Sequence, residues 1–132
     1  MDTDNGTCEL EFDEPLIVMR MVGTPGGPEM VRAMGEIERR TKGWRFNITL
    51  VDLTKQLHPP SVETRKAIAE SATTSVPSRG TALYGTTFAM RTLGTLVMNV
   101  INMTNKTKNI NKFFATEAEA RAWLNERAAL ED

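Results

Sequence analysis

Leu16-Ile-Val-Met-Arg-Met-Val22 decides the reading of this chain, because a short apolar run closed by Pro15 and Gly23 is the mark of a strand buried on both faces. Such strands belong to sheets covered by helices on both sides. Upstream, Cys8 to Phe12 reads as a first strand paired with this one across a turn at Asp13-Glu14-Pro15. Downstream, the loop from Gly23 to Pro28 breaks regular structure, and Pro28 suits a first helical position, where its missing N–H costs nothing. Met30, Ala33, Met34, Ile37 and Thr41 then recur at helical spacing, Glu36 and Arg40 pair one turn apart, and Gly43 offers a left-handed stop.

The alternation continues. Phe46, Ile48 and Leu50 share one face of a second central strand that ends in Asp52-Leu53-Thr54. Ser61 caps a helix expected to run to about Thr74, with a thin apolar stripe of Val62, Ile68, Ala69 and Ala72. Thr81 to Gly85 reads as a brief strand, Phe88 to about Asn102 as a strongly apolar helix, and Phe113-Phe114-Ala115 as a last strand. Thr116-Glu-Ala-Glu119 then forms a capping box ahead of Ala120, Trp123 and Leu124. Strands alternating with helices imply an α/β fold: one mixed, mostly parallel sheet of about five strands with four helices. At 132 residues, 40 % hydrophobic and 25 % charged, the chain fits a single globular domain over residues 1–132, with residues 1–9 expected to be loose.

Composition excludes several roles. Sixteen Lys plus Arg against seventeen Asp plus Glu provide no general attraction to nucleic acid or anionic lipid. Arg32, Arg39, Arg40, Lys42 and Arg45 are interleaved with Glu29, Glu36 and Glu38, the pattern of a solvated face, and no aromatic platform accompanies them. Nucleic-acid binding is not expected. Cys8 is the only cysteine and His58 the only histidine, so neither a disulfide nor a transition-metal shell is expected, and no cofactor is implied. The polar, acidic start lacks the pattern of a secretory signal, and cytoplasmic residence is the expectation.

Four stretches together carry a family resemblance: Leu16 to Gly23, Leu50-Val-Asp-Leu-Thr54, Arg79-Gly-Thr-Ala-Leu-Tyr-Gly85, and Phe113-Phe-Ala-Thr-Glu-Ala-Glu-Ala-Arg-Ala-Trp-Leu124. They resemble the STAS-like proteins related to bacterial anti-sigma-factor antagonists and, more distantly, half of the CRAL-TRIO lipid-transfer fold. The resemblance spans nearly the whole chain and implies protein–protein signalling or small-ligand sensing without catalysis. In the signalling members a phosphorylated serine in an Asp-Ser-Ser-Gly-like loop opens a helix; here that region reads His58-Pro-Pro-Ser61-Val-Glu-Thr64. Ser61 holds a physically comparable place, where a phosphate would meet the positive end of a helix dipole, and Thr54 is the other candidate for phosphorylation.

An enzymatic reading gathers Asp52, Thr54, His58 and Ser61 at the carboxyl end of a parallel strand, where open α/β sheets bind ligands. No nucleophile elbow such as Gly-x-Ser-x-Gly is present, and His58 precedes two prolines in an extended loop, so no catalytic residue is assigned. The glycine-rich loop from Gly23 to Pro28 matches no phosphate-binding motif.

The segment from Phe88 to Met103 is the most unusual. Phe88, Met90, Leu93, Val97, Met98 and Ile101 wrap most of a helix and leave a narrow polar edge at Arg91, Thr95 and Asn99. It is shorter than the roughly 20 residues needed to span a bilayer. It fits a core helix, a protein or homodimer interface, or a wall around an amphiphilic ligand or against a membrane surface, with Arg79 or Arg91 meeting an acidic head. Methionines suit adaptable contacts. The expected role is a signalling or protein-interaction module acting through this helix and the adjacent strand ends, with amphiphile binding as the alternative.

Overall fold

The structure is a computed structural model, and it describes residues 4–71, 76–85 and 110–130. Its elements run in the order β1 (Gly6–Asp13), β2 (Leu16–Gly23), α1 (Gly27–Arg40), β3 (Asn47–Lys55), α2 (Val62–Ser71), β4 (Ser78–Tyr84), β5 (Asn111–Phe114) and α3 (Glu117–Ala128). The five strands lie side by side in sequence order; β1 is antiparallel to β2, and every other neighbouring pair is parallel. Right-handed crossovers stepping in one direction put successive helices on the same face. Accordingly α1 and α2 pack against each other, while α3 returns from the edge strand to cover β3, β4 and β5 from the other side.

Alternation along each strand divides the core in two. Ile17, Met19 and Met21 of β2, Val51 of β3 and Leu83 of β4 meet Met30, Ala33 and Ile37 of α1. Val18, Ile48, Leu50, Ala82 and Tyr84 meet Ala120 and Leu124 of α3. The continuous apolar run of β2 follows directly: residues of both parities have a hydrophobic layer to enter. Gly80 lets α3 approach β4, since an added Cβ there would lie 2.9 Å from the Trp123 ring.

The expected elements sit close to their places. Pro28 opens α1, and the buried Thr41 ends it with its hydroxyl donating to the Ile37 carbonyl at 2.7 Å. Thr116 caps α3 by accepting from the Glu119 amide at 3.2 Å. Strand β4 starts at Ser78, ahead of the expected Thr81, because pairing of Asn47 with Ser78 extends it through residues of no apolar pattern. The stripe expected for α2 needs correction: Val62 is 66 % exposed, and the fully buried residue is Thr64. Residues 4–9, expected to be loose, are held, Gly6 to Glu9 by pairing with β2 and Asp4 by α2. Three helices are described; the expected fourth, from Phe88 to about Asn102, lies outside the described residues.

Leu124 is 1 % exposed beneath β3 and β4, so Leu124→Ala removes buried methyl groups and leaves a cavity. The expected loss is about 2–5 kcal/mol, read as a lower urea midpoint at unchanged slope.

Candidate functional site at the strand ends

Register places Glu9, Arg20, Asp52, Tyr84 and Phe114 in one row across the sheet, each opposite the next. The helix α3 layer starts beside this row, at the level where apolar side chains give way to polar ones. Arg20 pairs with Glu11 at 2.8 Å. Asp52 accepts from the Thr54 amide at 2.8 Å and its hydroxyl at 2.6 Å. Tyr84 donates to Glu117 at 3.0 Å, and Glu117 also holds Arg121 at 2.7 Å.

These contacts fix protonation. Burial pushes Asp52 up, but hydrogen bonds from Thr54 and Tyr84 and the charge of Arg20 outweigh it and leave the acid below its ordinary value. Hydrogen bonds from Arg20 lower Glu11, and those from Arg121 and Tyr84 lower Glu117. Burial, then Glu117 and Asp52, drive Tyr84 well above its ordinary value. The carboxyls therefore stay ionised and the phenol protonated near neutrality, whereas a general acid or base works best with a pKa near the operating pH. Burial likewise pushes the Cys8 thiol up to about 12, far from a reactive thiolate.

On the α1 and α2 side, the loops after β2 and β3 are joined. The Thr24 hydroxyl accepts from the His58 amide and donates to the His58 carbonyl, both at 3.2 Å, and the Leu57 amide donates to the Gly23 carbonyl at 3.4 Å. Ser61 caps α2, its hydroxyl accepting from the Thr64 amide at 3.2 Å. Into this helix start projects Asp4, whose side chain is only 1 % exposed. One carboxylate oxygen accepts from the Ser61 amide at 2.8 Å and from the Thr64 hydroxyl at 2.6 Å; the other lies 3.9 Å from His58 Nδ1. Burial works against its charge, yet the bonds from Thr64 and Ser61 and the nearby His58 hold Asp4 below its ordinary value. The positive end of α2 is thus already matched by an anion from the chain itself.

The candidate residues are dispersed. Ser61 belongs to this cluster, and exposed Thr54 is tied to Asp52 on the opposite face of the sheet. Gly85, at φ +87°, passes so close to Thr54 that an added Cβ would collide with its methyl group. Arg79 sits at the amino end of β4, away from both clusters: its guanidinium donates to the Ala128 and Leu130 carbonyls at 2.9 and 2.7 Å and lies 3.7 Å above the Phe46 ring. Phe88, Met90, Arg91, Leu93, Val97, Met98 and Ile101 lie outside the described residues. Sequence reasoning missed Asp4, Thr64, Tyr84 and Glu117, since each acquires its role from a partner more than thirty positions away. Among the described residues no three metal-binding side chains cluster, and no helix is long and apolar enough to cross a membrane.

The chain matches no protein-family model and no curated protein. Its structure is similar to that of an uncharacterised protein of the DUF3478 family, with a SpoIIAA-like fold, from Shewanella loihica PV-4: TM-score 0.61 and 16 % identity, over 94 % of this chain and 98 % of the other. The fold is therefore STAS-like, as the strand and helix motifs imply.

Two outcomes test this geometry. Gly85→Ala is expected to cost about 2–4 kcal/mol, combining a left-handed backbone with the Thr54 collision, and thermal melting reads it. Asp4→Asn is expected to cost about 1–3 kcal/mol at neutral pH. Because the folded Asp4 carboxyl has the lower pKa, its contribution is complete above the ordinary value of 3.8 and is lost as the pH falls through and below it. The melting temperatures of the two proteins should therefore converge in acid.

Proposed function

We propose that this STAS-like fold serves as a non-enzymatic interaction module, binding a protein partner at the carboxyl ends of its strands and through the apolar Phe88–Met103 segment. The observation that carries the reading is a set of exposed apolar side chains at the helix starts on that end: Val31 near the start of α1, 51 % exposed, with Leu57 and Val62, 78 and 66 % exposed, flanking the start of α2. Apolar side chains exposed at helix starts whose loops are bonded to one another suit a contact surface, because little ordering entropy is lost on binding. The charged groups nearby support the same reading, being bonded to one another in states that favour structure over proton transfer.

Ser61 and Thr54 remain candidates for phosphorylation within this reading. A phosphate on Ser61 would add negative charge beside the Asp4 carboxylate and expel the segment before β1 from the start of α2.

Site-specific photo-crosslinking in the native cells tests the proposal. A benzophenone side chain at position 57 or 62 is expected to give a discrete protein adduct, and one at Leu130, exposed at the other end of the sheet, is not. Equal adducts at both ends, or none at 57 and 62, would refute it. A lipid recovered from the native protein by mass spectrometry would favour the amphiphile alternative, which rests on the composition of residues 88–103.

A further inference from the structure

Among the described strands, β1 is at one edge of the sheet and has β2 as the one strand it pairs with. Its outward backbone is closed at one residue and open beyond it. At Cys8 the amide donates to Glu29 at 2.8 Å and the carbonyl accepts from Arg32 at 3.0 Å, so two side chains of α1 stand in for a neighbouring strand. In an antiparallel pair, alternate residues turn their N–H and C=O groups outward. Leu10 and Phe12 share the outward direction of Cys8, and among the described residues nothing pairs with them. Next to this edge, on the face of the sheet that α3 covers, lies a groove of about 440 Å³ lined by Glu11 and Asp13, by Leu16 and Val18 of β2, and by Arg40 and Arg121.

Natural proteins protect open edges against uncontrolled pairing with charged side chains, lysine most often, or with proline, bulges or a covering element. This edge carries only acids: Glu9, Glu11 and Asp13 project from the strand, Glu14 follows, and no Lys or Arg occurs before Arg20. Glu11 is neutralised by Arg20, while Arg40 and Arg121 are held by Glu36 and Glu117 on their own helices. Glu9, Asp13 and Glu14 have no ion pair among the described residues, so the uncompensated charge along the strand and the turn after it is negative.

That charge selects the occupant. A second copy pairing antiparallel about Glu11 would set Glu11 against Glu11 and Glu9 against Asp13, and like charges directly opposite destabilise a strand pair. A strand bearing Lys or Arg at alternate positions would meet the same acids favourably. Its intervening apolar residues would lie beside Leu10 and Phe12, the latter already edge-on to Trp44 at 6.3 Å. We infer that the Leu10–Asp13 edge of β1 accepts an extended, alternately cationic segment of a partner protein as an additional strand. This surface is separate from the Leu57 and Val62 region, so either can fail without the other.

The test uses the full chain and a labelled, acetylated and amidated Lys-Val-Lys-Val-Lys-Val-Lys peptide, with two comparison peptides. One has Glu for Lys; the other is N-methylated at alternate residues, which keeps the charge but removes strand pairing. Fluorescence anisotropy is expected to show the parent binding at least about tenfold more tightly than either, with slowed amide exchange at Leu10 and Phe12. The variant Glu9→Gln/Asp13→Asn/Glu14→Gln, altered only at exposed positions, should fold normally and bind the parent peptide more weakly. Equal binding of the N-methylated peptide, unchanged exchange at Leu10 and Phe12, or undiminished binding by the folded triple variant would each overturn the inference.

Discussion

Burial of β3 on both faces is the constraint from which the architecture follows. Leu50 and Val51 are adjacent, and each is at most 5 % exposed, because one enters the layer under α3 and the other the layer under α1. A strand in that position cannot leave a backbone group unpaired, so it lies at the centre of the sheet with β2 and β4 on either side. The helices are placed by the same requirement. Two crossovers cover one face, and α3 must fold back from β5 to cover the other.

Where that cover ends, polar groups begin, and they are arranged to satisfy one another. On the α3 face the change occurs at one level of the sheet, at Arg20, Asp52 and Tyr84, and extends to Glu117 in the first turn of α3. On the other face it occurs in the loops, where Thr24 joins two strand ends and Asp4 is drawn beneath the start of α2. A buried carboxylate is tolerated there because the Ser61 amide, the Thr64 hydroxyl and the helix dipole all favour its charge. The result is a firm platform from which Leu57 and Val62 project.

Cover is uneven across the sheet. Helix α3 lies on β3, β4 and β5, and the acidic side chains of β1 face solvent instead. The same strand turns Leu10 and Phe12 toward α1, where Phe12 packs against Trp44 and beneath Arg40 at 4.6 Å. Half apolar and half acidic, β1 has the alternation of an edge strand, in contrast to the continuous apolar run of β2 beside it.

Local patterns were enough to specify much of this from sequence. The run from Leu16 to Val22, the Pro28 start, the Met30-Ala33-Ile37 stripe and the Thr116 cap each report an interaction completed within a few residues or a periodicity of one element. Strand and helix order then implied a mostly parallel α/β sheet, and the resemblance of four stretches to STAS-like proteins narrowed it further. Tertiary structure alone decided that β4 begins at Ser78, that Thr64 and not Val62 is the buried residue of α2, and that Arg79 closes the end of α3. It alone brought Asp4 to Ser61 across 57 positions and Tyr84 to Glu117 across 33. The physical reason is that a hydrogen bond depends on spatial approach: a polar residue carries no periodic sign of the distant partner that the packed sheet will bring to it.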